Sequence, residues 1–172
     1  TIPDSDAAIE KAREYLKAGK IVAVKGLGGM HLACLPEKAE ELRKRKQRDE
    51  KPFAVMARDA ACVRRFCEVS PDEEKVLTGF RRPIVLLHKK KDGPLSEDRE
   101  ISENNYIGVM LPYTPLHVLL FGDDIDVLIM TSANLSETPI MFQNEEAFEK
   151  LAGIADGFLL HNRDIQTRCD DS

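Results

Sequence analysis

The sequence lacks three features that would assign the chain to a special structural class. No stretch comes near the roughly 18 consecutive apolar residues that a membrane-spanning helix needs. The four cysteines form no C-x-x-C pair and have no histidine at zinc-finger spacing, which argues against a zinc site and fits reduced thiols in a cytosolic protein. Positive charge is not in excess either, because 25 basic residues against 30 acidic ones give a net charge of −5. Binding to nucleic acid through bulk charge is therefore not expected.

What is present fits a folded domain. The chain has 172 residues, of which 42% are hydrophobic and 32% are charged, and this is enough to bury a continuous core. It begins without Met, basic n-region or apolar h-region, so no signal peptide is expected. Its end looks cut. We therefore expect residues 1–172 to be a single domain excised from a larger multidomain protein.

Helix and strand signals alternate along the chain. Turn residues, proline at first helical positions and acidic residues in first turns mark the boundaries. Residues 89–106 show little periodicity and are expected to form one long, functional surface loop. The alternation predicts a single α/β domain with a twisted, mixed or largely parallel open sheet flanked by helices. Helices are predicted at about 4–18, 36–46, 59–66, from 71, 115–121 and 144–151, and strands at 21–24, 31–34, 53–56, 83–87, 107–111, 127–130 and 157–160.

A dense basic cluster follows the second predicted helix. It runs off the end of that helix toward a predicted strand. One interpretation is a solvated helix end, where cations are favourable against the helix dipole and nearby acids partly neutralise them. The other is a polyphosphate site, in which guanidinium and ammonium groups clamp a triphosphate and stabilise charge at the reacting phosphorus. The cluster consists of Arg43, Lys44, Arg45, Lys46, Arg48 and Lys51.

A glycine-rich turn follows the first predicted strand. Gly26, Gly28 and Gly29 resemble the start of a dinucleotide-binding turn, but His31 stands where the third glycine of G-x-G-x-x-G would be. The turn is either a tight structural loop or a place where backbone N–H groups meet a small anionic or carbonyl ligand. His31 is correspondingly a structural histidine or a polar contact to that ligand.

Hydroxyl and amide side chains follow the predicted strand 127–130. Thr131, Ser132 and Asn134 lie at its carboxyl end, the edge of an open α/β sheet at which ligands gather. These side chains could hydrogen-bond a nucleotide, or they could form an ordinary helix cap and turn. No G-x-S-x-G elbow accompanies them, so a hydrolase nucleophile is not indicated.

Taken in order, six segments resemble the YrdC-like domain, and more narrowly the version of it in the hydrogenase-maturation carbamoyltransferase family HypF. The resemblance covers nearly the whole chain. Lys46 and Arg48 match the K-x-R pair of that family, and Ser132 and Asn134 match its S-x-N motif. The segments are KGLGGMHLAC (25–34), LRKRKQRDEKPFAVMARD (42–59), RRPIVLL (81–87), IGVMLPYTPLH (107–117), MTSANLSETPI (130–140) and HNRDIQTRCDDS (161–172).

Departures from the threonylcarbamoyl-adenylate branch of the family favour the carbamoyl branch. Lys25-Gly26-Leu27-Gly28 stands where that branch has a threonine-rich P-T-[DE]-T segment, and it lacks both hydroxyls. The histidine expected shortly after the K-x-R pair is also absent, with Met56 near that place. Recognition of threonine is therefore not expected.

The resemblance implies a function and a set of site residues. A HypF-type domain condenses carbamate, derived from carbamoyl phosphate, with ATP and Mg²⁺ to form carbamoyl adenylate and pyrophosphate. Other domains of a cytoplasmic parent protein then pass the carbamoyl group to the C-terminal cysteine of HypE. By this resemblance Lys46 and Arg48 are catalytic and contact the phosphates, with no metal-ligating side chains identified. Nucleotide-binding residues would be Lys51, Thr131, Ser132, Asn134 and Arg168, and carbamoyl-binding ones Gly26, Gly28, Gly29 and His31.

Two other functions are compatible with the sequence. A double-stranded RNA-binding module would use the basic cluster as its centre, although no aromatic residue interleaves it to stack on bases. A threonylcarbamoyl-adenylate synthase of tRNA modification would keep the adenylate chemistry with threonine as a substrate. Steep salt dependence of binding would favour RNA, whereas threonine-dependent pyrophosphate exchange would favour the synthase.

Overall fold

The structure is a computed structural model that describes residues 5–25, 30–46, 52–95, 101–102, 105–132, 149, 151–161 and 164–167. Its helices are α1 (Ser5–Lys17), α2 (Ala39–Lys46), α3 (Ala60–Phe66), α4 (Pro71–Thr78) and α5 (Pro115–Phe121), and a 3-10 turn (Pro36–Lys38) precedes α2. Its strands are β1 (Val22–Lys25), β2 (Met30–Cys34), β3 (Ala54–Ala57), β4 (Cys67–Glu68), β5 (Val85–Lys89), β6 (Tyr106–Met110), β7 (Val127–Ser132), β8 (Gly157–His161) and β9 (Asp164–Thr167).

The chain folds into two compact units. The first, here the terminal unit, comprises Thr1–Arg48 and Thr131–Ser172. Its strands follow the order β2-β1-β8-β9. β1 is antiparallel to β2 and parallel to β8, and β9 returns antiparallel to β8. Helix α1 packs against β8 and β9. The core of this unit is apolar and excludes solvent, with Leu16, Ile21, Leu32, Leu42 and Phe158 almost wholly buried.

The second unit, here the central unit, comprises Asp49–Met130. Its strands follow the order β4-β5-β6-β3-β7, and β7 continues past Met130 to Ser132. β3 is parallel to β6 and antiparallel to β7, while β5 is antiparallel to both β4 and β6. Phe53, Leu77, Leu87, Ile107 and Phe121 are among the side chains that fill its core.

The structure confirms the predicted α/β class and the mixed sheet. Antiparallel pairs predominate among the described strand pairings, since β1–β8 and β3–β6 alone run parallel. Short connections explain two of the antiparallel pairs, β1–β2 and β8–β9. β1 and β2 are separated by residues 26–29, and β8 and β9 by residues 162–163. A connection that short can join antiparallel neighbours, whereas parallel strands need a crossover of a dozen or more residues.

The predicted surface loop 89–106 differs from what the structure describes of it. β5 extends to Lys89 and β6 begins at Tyr106, and Leu95, Ile101 and Ser102 are buried. The Phe53 N–H donates to the Ile101 carbonyl over 2.8 Å, and the Lys89 ammonium donates to the Ser102 carbonyl over 2.8 Å. The described part is thus anchored to the central unit, because buried backbone groups there find partners.

Two strands differ from the sequence expectations, and one predicted helix is largely untested. β4 and β9 were not predicted, since each is short and lacks an apolar run. The predicted helix 144–151 lies largely outside the described residues, although Glu149, Leu151 and Ala152 are helical. No described helix has both the length and the apolar character that crossing a membrane requires.

Candidate functional site

The structure brings together two of the residues that the sequence predicted to share a site. Lys46 is the last residue of α2, and Ser132 is the last residue of β7. The Lys46 ammonium donates a hydrogen bond to the Ser132 carbonyl oxygen over 2.8 Å, although 86 positions separate the two residues in the sequence. The first residues of the K-x-R and S-x-N motifs, Lys46 and Ser132, are therefore in contact in the terminal unit.

The position of Lys46 follows from how α2 is built. Pro36 opens the 3-10 turn, for which its fixed φ is suited, and α2 continues from Ala39. Ala39 and Leu42 form the buried face of the helix. Its acidic residues fall in the first turn and its basic residues in the last, where each is favourable against the helix dipole. The basic residues of α2 therefore lie at its carboxyl end, and the rest of the basic cluster follows them in the sequence.

The position of Ser132 follows from the end of β7. Most side chains of Val127–Ser132 are buried. Thr131, the residue before the last, is still buried, with only 6% of its surface exposed. Ser132 is exposed. The strand therefore leaves the core at Ser132, so that a polar side chain and a carbonyl group become available at its carboxyl end.

His31 lies on β2 opposite Val24 of β1. Its Nδ1 atom is buried and finds no hydrogen-bond partner among the described residues. Burial lowers the pKa of His31 below the usual value of 6.5, because the protonated ring is poorly solvated there. His31 is therefore a neutral imidazole at pH 7, which donates a hydrogen bond from one ring nitrogen and accepts one at the other.

The other predicted site residues lie outside the described residues. They include the glycines of the turn between β1 and β2 and the remaining members of both motifs, so their positions stay predictions. These residues are Gly26, Gly28, Gly29, Arg48, Lys51, Asn134 and Arg168.

Arg45 has a partner that the sequence did not reveal. It belongs to the basic cluster, but its Nη1 atom lies 3.2 Å from the Asp156 carboxylate and 2.9 Å from the Ile154 carbonyl oxygen. Its Nε atom donates to Glu41 over 2.8 Å. The Glu41 contact has the i, i+4 spacing of a helical ion pair and could have been predicted. Asp156 lies 111 positions away and gives no local signal.

A cavity of about 290 Å³ lies in the central unit and contains none of the predicted site residues. Arg58 is one of its cations, and it is already paired with Asp126 over 3.1 Å and with the Asp123 carbonyl over 2.9 Å. Its remaining lining is largely apolar. Arg82 is its other cation, and the lining also contains the Asp59 carboxylate. It is lined by Arg58, Asp59, Ala60, Thr78, Arg82, Leu111, Pro112 and Val118.

The cysteines and acidic residues described by the structure do not form a metal centre. No group of three or more His, Cys, Asp or Glu side chains among these residues is placed to hold a metal ion. Cys34, Cys62 and Cys67 are free and buried. Burial raises the pKa of Cys34 and of Cys67 to about 12. These thiols are therefore protonated and inert at neutral pH.

A family comparison identifies the class of protein that this fold and site define. The sequence profile of the Sua5/YciO/YrdC family, described as "Telomere recombination", matches residues 14–172. The chain belongs to this family. The resemblance of the sequence to a YrdC-like domain is thereby confirmed.

The individual relatives that the chain matches are named as carbamoyltransferases of the HypF type. The chain is 46% identical over 174 residues to a probable carbamoyltransferase HypF of Methanocaldococcus jannaschii, a match that covers 99% of this chain and 22% of that protein. It is 48% identical to the carbamoyltransferase HypF of Rhodobacter capsulatus, covering 96% of this chain and 22% of the relative. The chain thus spans less than a quarter of the length of these relatives.

Solved structures agree with both assignments. A full-length HypF in a phosphate- and nucleotide-bound form superposes with a TM-score of 0.79 at 51% identity, covering 93% of this chain and 21% of that one. The T. kodakarensis HypF gives a TM-score of 0.80 at 49% identity over the same 93% and 21%. E. coli YciO shares the fold at 19% identity, with a TM-score of 0.68 over 94% of this chain and 82% of its own.

Proposed function

We propose that this chain binds ATP through Lys46, Arg48 and Lys51 of its basic cluster and forms carbamoyl adenylate as one domain of a HypF-type carbamoyltransferase. The observation that carries the proposal is the 2.8 Å hydrogen bond from the Lys46 ammonium to the Ser132 carbonyl. It joins a cationic helix end to the polar end of a strand, a combination that offers charge for phosphates and hydrogen bonds for a nucleoside.

The similar proteins support this proposal. The M. jannaschii and R. capsulatus relatives are named carbamoyltransferases, and the full-length HypF structure at 51% identity holds phosphate and nucleotide. The departures from the threonine-binding segment, above all Gly26 and Gly28, favour carbamate over threonine as the second substrate.

The proposed reaction joins carbamate to the α-phosphorus of ATP. A carbamate oxygen attacks this phosphorus, the new O–P bond forms, and the bond to the bridging oxygen of the β-phosphate breaks to release pyrophosphate. Carbamate is already anionic, so the step needs no general base. Because carbamate is short-lived in water, positioning and exclusion of water supply most of the advantage.

Roles for the residues follow from their chemistry. Lys46 and Arg48 would neutralise the phosphates and the charge that develops at the α-phosphorus, with Lys51 assisting. Ser132 and Asn134, after the buried Thr131, would hydrogen-bond the nucleoside. Mg²⁺ would arrive with the triphosphate, whose oxygens are ligands that it prefers.

The carbamoyl group would be held at the glycine turn between β1 and β2. Backbone N–H groups of Gly26, Gly28 and Gly29 would meet its oxygen atoms, and neutral His31 beside them could hydrogen-bond it without adding charge. Arg168 would close the site from the chain terminus. In the longer protein, other domains would supply carbamate from carbamoyl phosphate and deliver the product to HypE for hydrogenase maturation.

The test is calorimetric titration of ATP–Mg²⁺ into this chain and into a Lys46→Ala, Arg48→Ala variant. We expect saturable one-site binding to the wild type, and an affinity weakened at least about a hundredfold in the variant, because each charge-assisted contact contributes about 1.5–3 kcal/mol. A Lys11→Ala, Lys17→Ala variant removes the same charge from exposed positions of the same unit, outside the basic cluster. It should bind ATP almost as the wild type does.

Three results would contradict the proposal. A folded wild-type chain that binds no ATP would exclude the nucleotide site, and titration of duplex RNA would then decide whether RNA is the ligand. Equal weakening in both variants would show that bulk charge, not the site, attracts ATP. Threonine-dependent pyrophosphate exchange would place the chain in the threonylcarbamoyl branch.

A further inference from the structure

Three segments of the terminal unit meet at one polar junction. Asp156 precedes β8, and Ile21 precedes β1, its parallel neighbour. The Asp156 N–H donates to the Ile21 carbonyl over 2.7 Å, and the Ile21 N–H donates to the Asp156 carboxylate over 2.9 Å. This reciprocal pair fixes the starts of the two strands against each other.

Arg45 connects α2 to the same junction. One nitrogen of its guanidinium reaches both the second oxygen of Asp156 and the Ile154 carbonyl, and Glu41 holds Nε from the preceding helical turn. The planar guanidinium is thereby fixed on two sides. The side chains of Arg45 and Asp156 are 28% and 20% exposed, so water screens this pair less than it screens a pair on the open surface.

The charge of Arg45 is satisfied within the protein. Burial acts to lower its pKa, but the hydrogen bond to Glu41 and the charge and hydrogen bond of Asp156 outweigh burial and raise the pKa. A guanidinium whose positive charge is already shared between two carboxylates attracts a phosphate less strongly than an unpaired cation does. Arg45 therefore differs in function from the other cations of the basic cluster.

The segments that this junction holds together, α2 and β1, continue into the proposed site. Lys46 follows Arg45 directly, and its ammonium makes the contact with Ser132. β1 ends at Lys25, immediately before the glycine turn. A shift of α2 relative to the strands would move Lys46 and displace its ammonium from Ser132.

We infer that Arg45 and Asp156 are a positioning pair, which fixes the last turn of α2 on the β1–β8 junction and so holds Lys46 at the phosphate-binding position. The inference rests on the proposed function for its effect on ATP, but the effect on α2 is independent of it. In this role neither residue needs to contact the substrates.

The first test measures α2 without any ligand. Hydrogen exchange of the peptide covering α2 is compared in the wild type and in Arg45→Gln, Asp156→Asn and Glu10→Gln variants. We expect faster exchange in α2 for the first two and wild-type exchange for Glu10→Gln, which breaks a solvent-exposed ion pair with Arg13 on α1. Unchanged exchange in α2 would overturn the inference whether or not the chain binds ATP.

The second test measures ATP affinity in a double-mutant cycle. We expect Arg45→Gln and Asp156→Asn each to weaken ATP binding by about tenfold to a hundredfold, as small misplacements of binding groups do. The double variant should be no weaker than either single one, because both break the same contact. If Arg45 contacted phosphate directly, Arg45→Gln alone would weaken binding, and Asp156→Asn would leave it unchanged or tighten it.

A stability control separates positioning from general destabilisation. Ser70→Ala removes a helix cap in the central unit and leaves the junction intact. It should lower stability but leave ATP affinity unchanged, with all variants compared at a temperature where they are fully folded. Loss of ATP affinity in Ser70→Ala equal to that in Arg45→Gln would overturn the positioning role. Absence of ATP binding in the wild type would instead overturn the proposed function.

Discussion

At the scale of single residues, His31 shows how burial changes a side chain that the sequence could only nominate. The sequence placed it next to a glycine turn and left its role open. The structure places it on β2, with Nδ1 buried. A neutral imidazole of this kind suits an uncharged contact to a small carbonyl ligand, and it also makes stability depend on pH.

We predict that His31 makes the protein less stable in mild acid. Its folded pKa lies below the unfolded value of 6.5 because burial disfavours the protonated ring. The unfolded chain therefore binds the proton more readily, so this contribution to stability is complete above pH 6.5 and is lost as pH falls toward the folded pKa. One such proton changes the free energy of unfolding by at most about 1.4 kcal/mol per pH unit.

The measurement is urea denaturation of the wild type and of His31→Gln at neutral pH and at a pH below 6.5. The free energy of unfolding should fall more steeply with acidification in the wild type than in the variant, which has no group to titrate there. Parallel pH profiles would show that His31 is not buried in the folded protein as described.

Lys46 and Arg45 show what a local pattern can and cannot assign. The sequence grouped both in one basic cluster, since neighbouring cations look alike in a sequence. The fold then gave them different partners, the Ser132 carbonyl for Lys46 and the Asp156 carboxylate for Arg45. Successive residues of a helix point about 100° apart, so adjacent cations can face different surroundings.

At the scale of elements, helix boundaries were well predicted where a cap marks them. Asp59 accepts from the Cys62 N–H at the start of α3, and Thr114 accepts from the His117 N–H at the start of α5. Ser70 caps α4 in a complete capping box with Glu73. Such caps satisfy N–H groups that have no partner within the helix, which is why they can be recognised from the sequence.

We predict that Ser70→Ala lowers the free energy of unfolding by about 1 kcal/mol, the usual cost of losing an N-cap. The Glu73 N–H loses the Ser70 hydroxyl as its acceptor over 3.1 Å. Ser70→Thr keeps an acceptor at the same position and should retain most of the stability. Chemical denaturation of the three proteins checks this, and equal stability of Ser70→Ala and wild type would show that the cap contributes nothing.

Strands that depend on a neighbour were harder to predict. β4 has two residues and pairs with β5 through Cys67–Lys89 and Glu68–His88. No pattern can develop over so short a segment, so its strand character comes from the ladder that β5 offers. The same ladder carries β5 to Lys89, two residues beyond the predicted end of the strand.

At the scale of the whole molecule, exposed apolar surface is unevenly distributed. Every exposed large hydrophobic side chain among the described residues belongs to the central unit. On β5 the alternation leaves Leu86 68% exposed, while Leu87 is fully buried. Exposed large apolar side chains favour association between protein molecules. The exposed residues are Val76, Phe80, Ile84, Leu86, Tyr106, Val118 and Leu119.

We predict that a Phe80→Ser, Leu86→Thr variant is more soluble in ammonium sulfate than the wild type and nearly as stable. Phe80 is 90% exposed, and threonine is well suited to a strand position. Stability should change by no more than about 1 kcal/mol. The matched core variant Leu87→Ala should lose about 2–5 kcal/mol.

Precipitation curves and urea denaturation of the three proteins provide the check. A Phe80→Ser, Leu86→Thr variant as unstable as Leu87→Ala would mean that these side chains are packed in solution. Unchanged solubility would mean that the exposed Phe80 and Leu86 side chains do not limit the solubility of the protein.

The sequence by itself determined the α/β class, the order of most helices and strands and the family to which the chain belongs. These properties follow from periodicity, capping and short motifs, all of which act over a few neighbouring residues. The tertiary structure alone decided that Lys46 reaches Ser132, that Arg45 pairs with Asp156 and which face of β5 meets solvent. Such contacts join residues far apart in the chain, and only strand register and helix packing bring them within bonding distance.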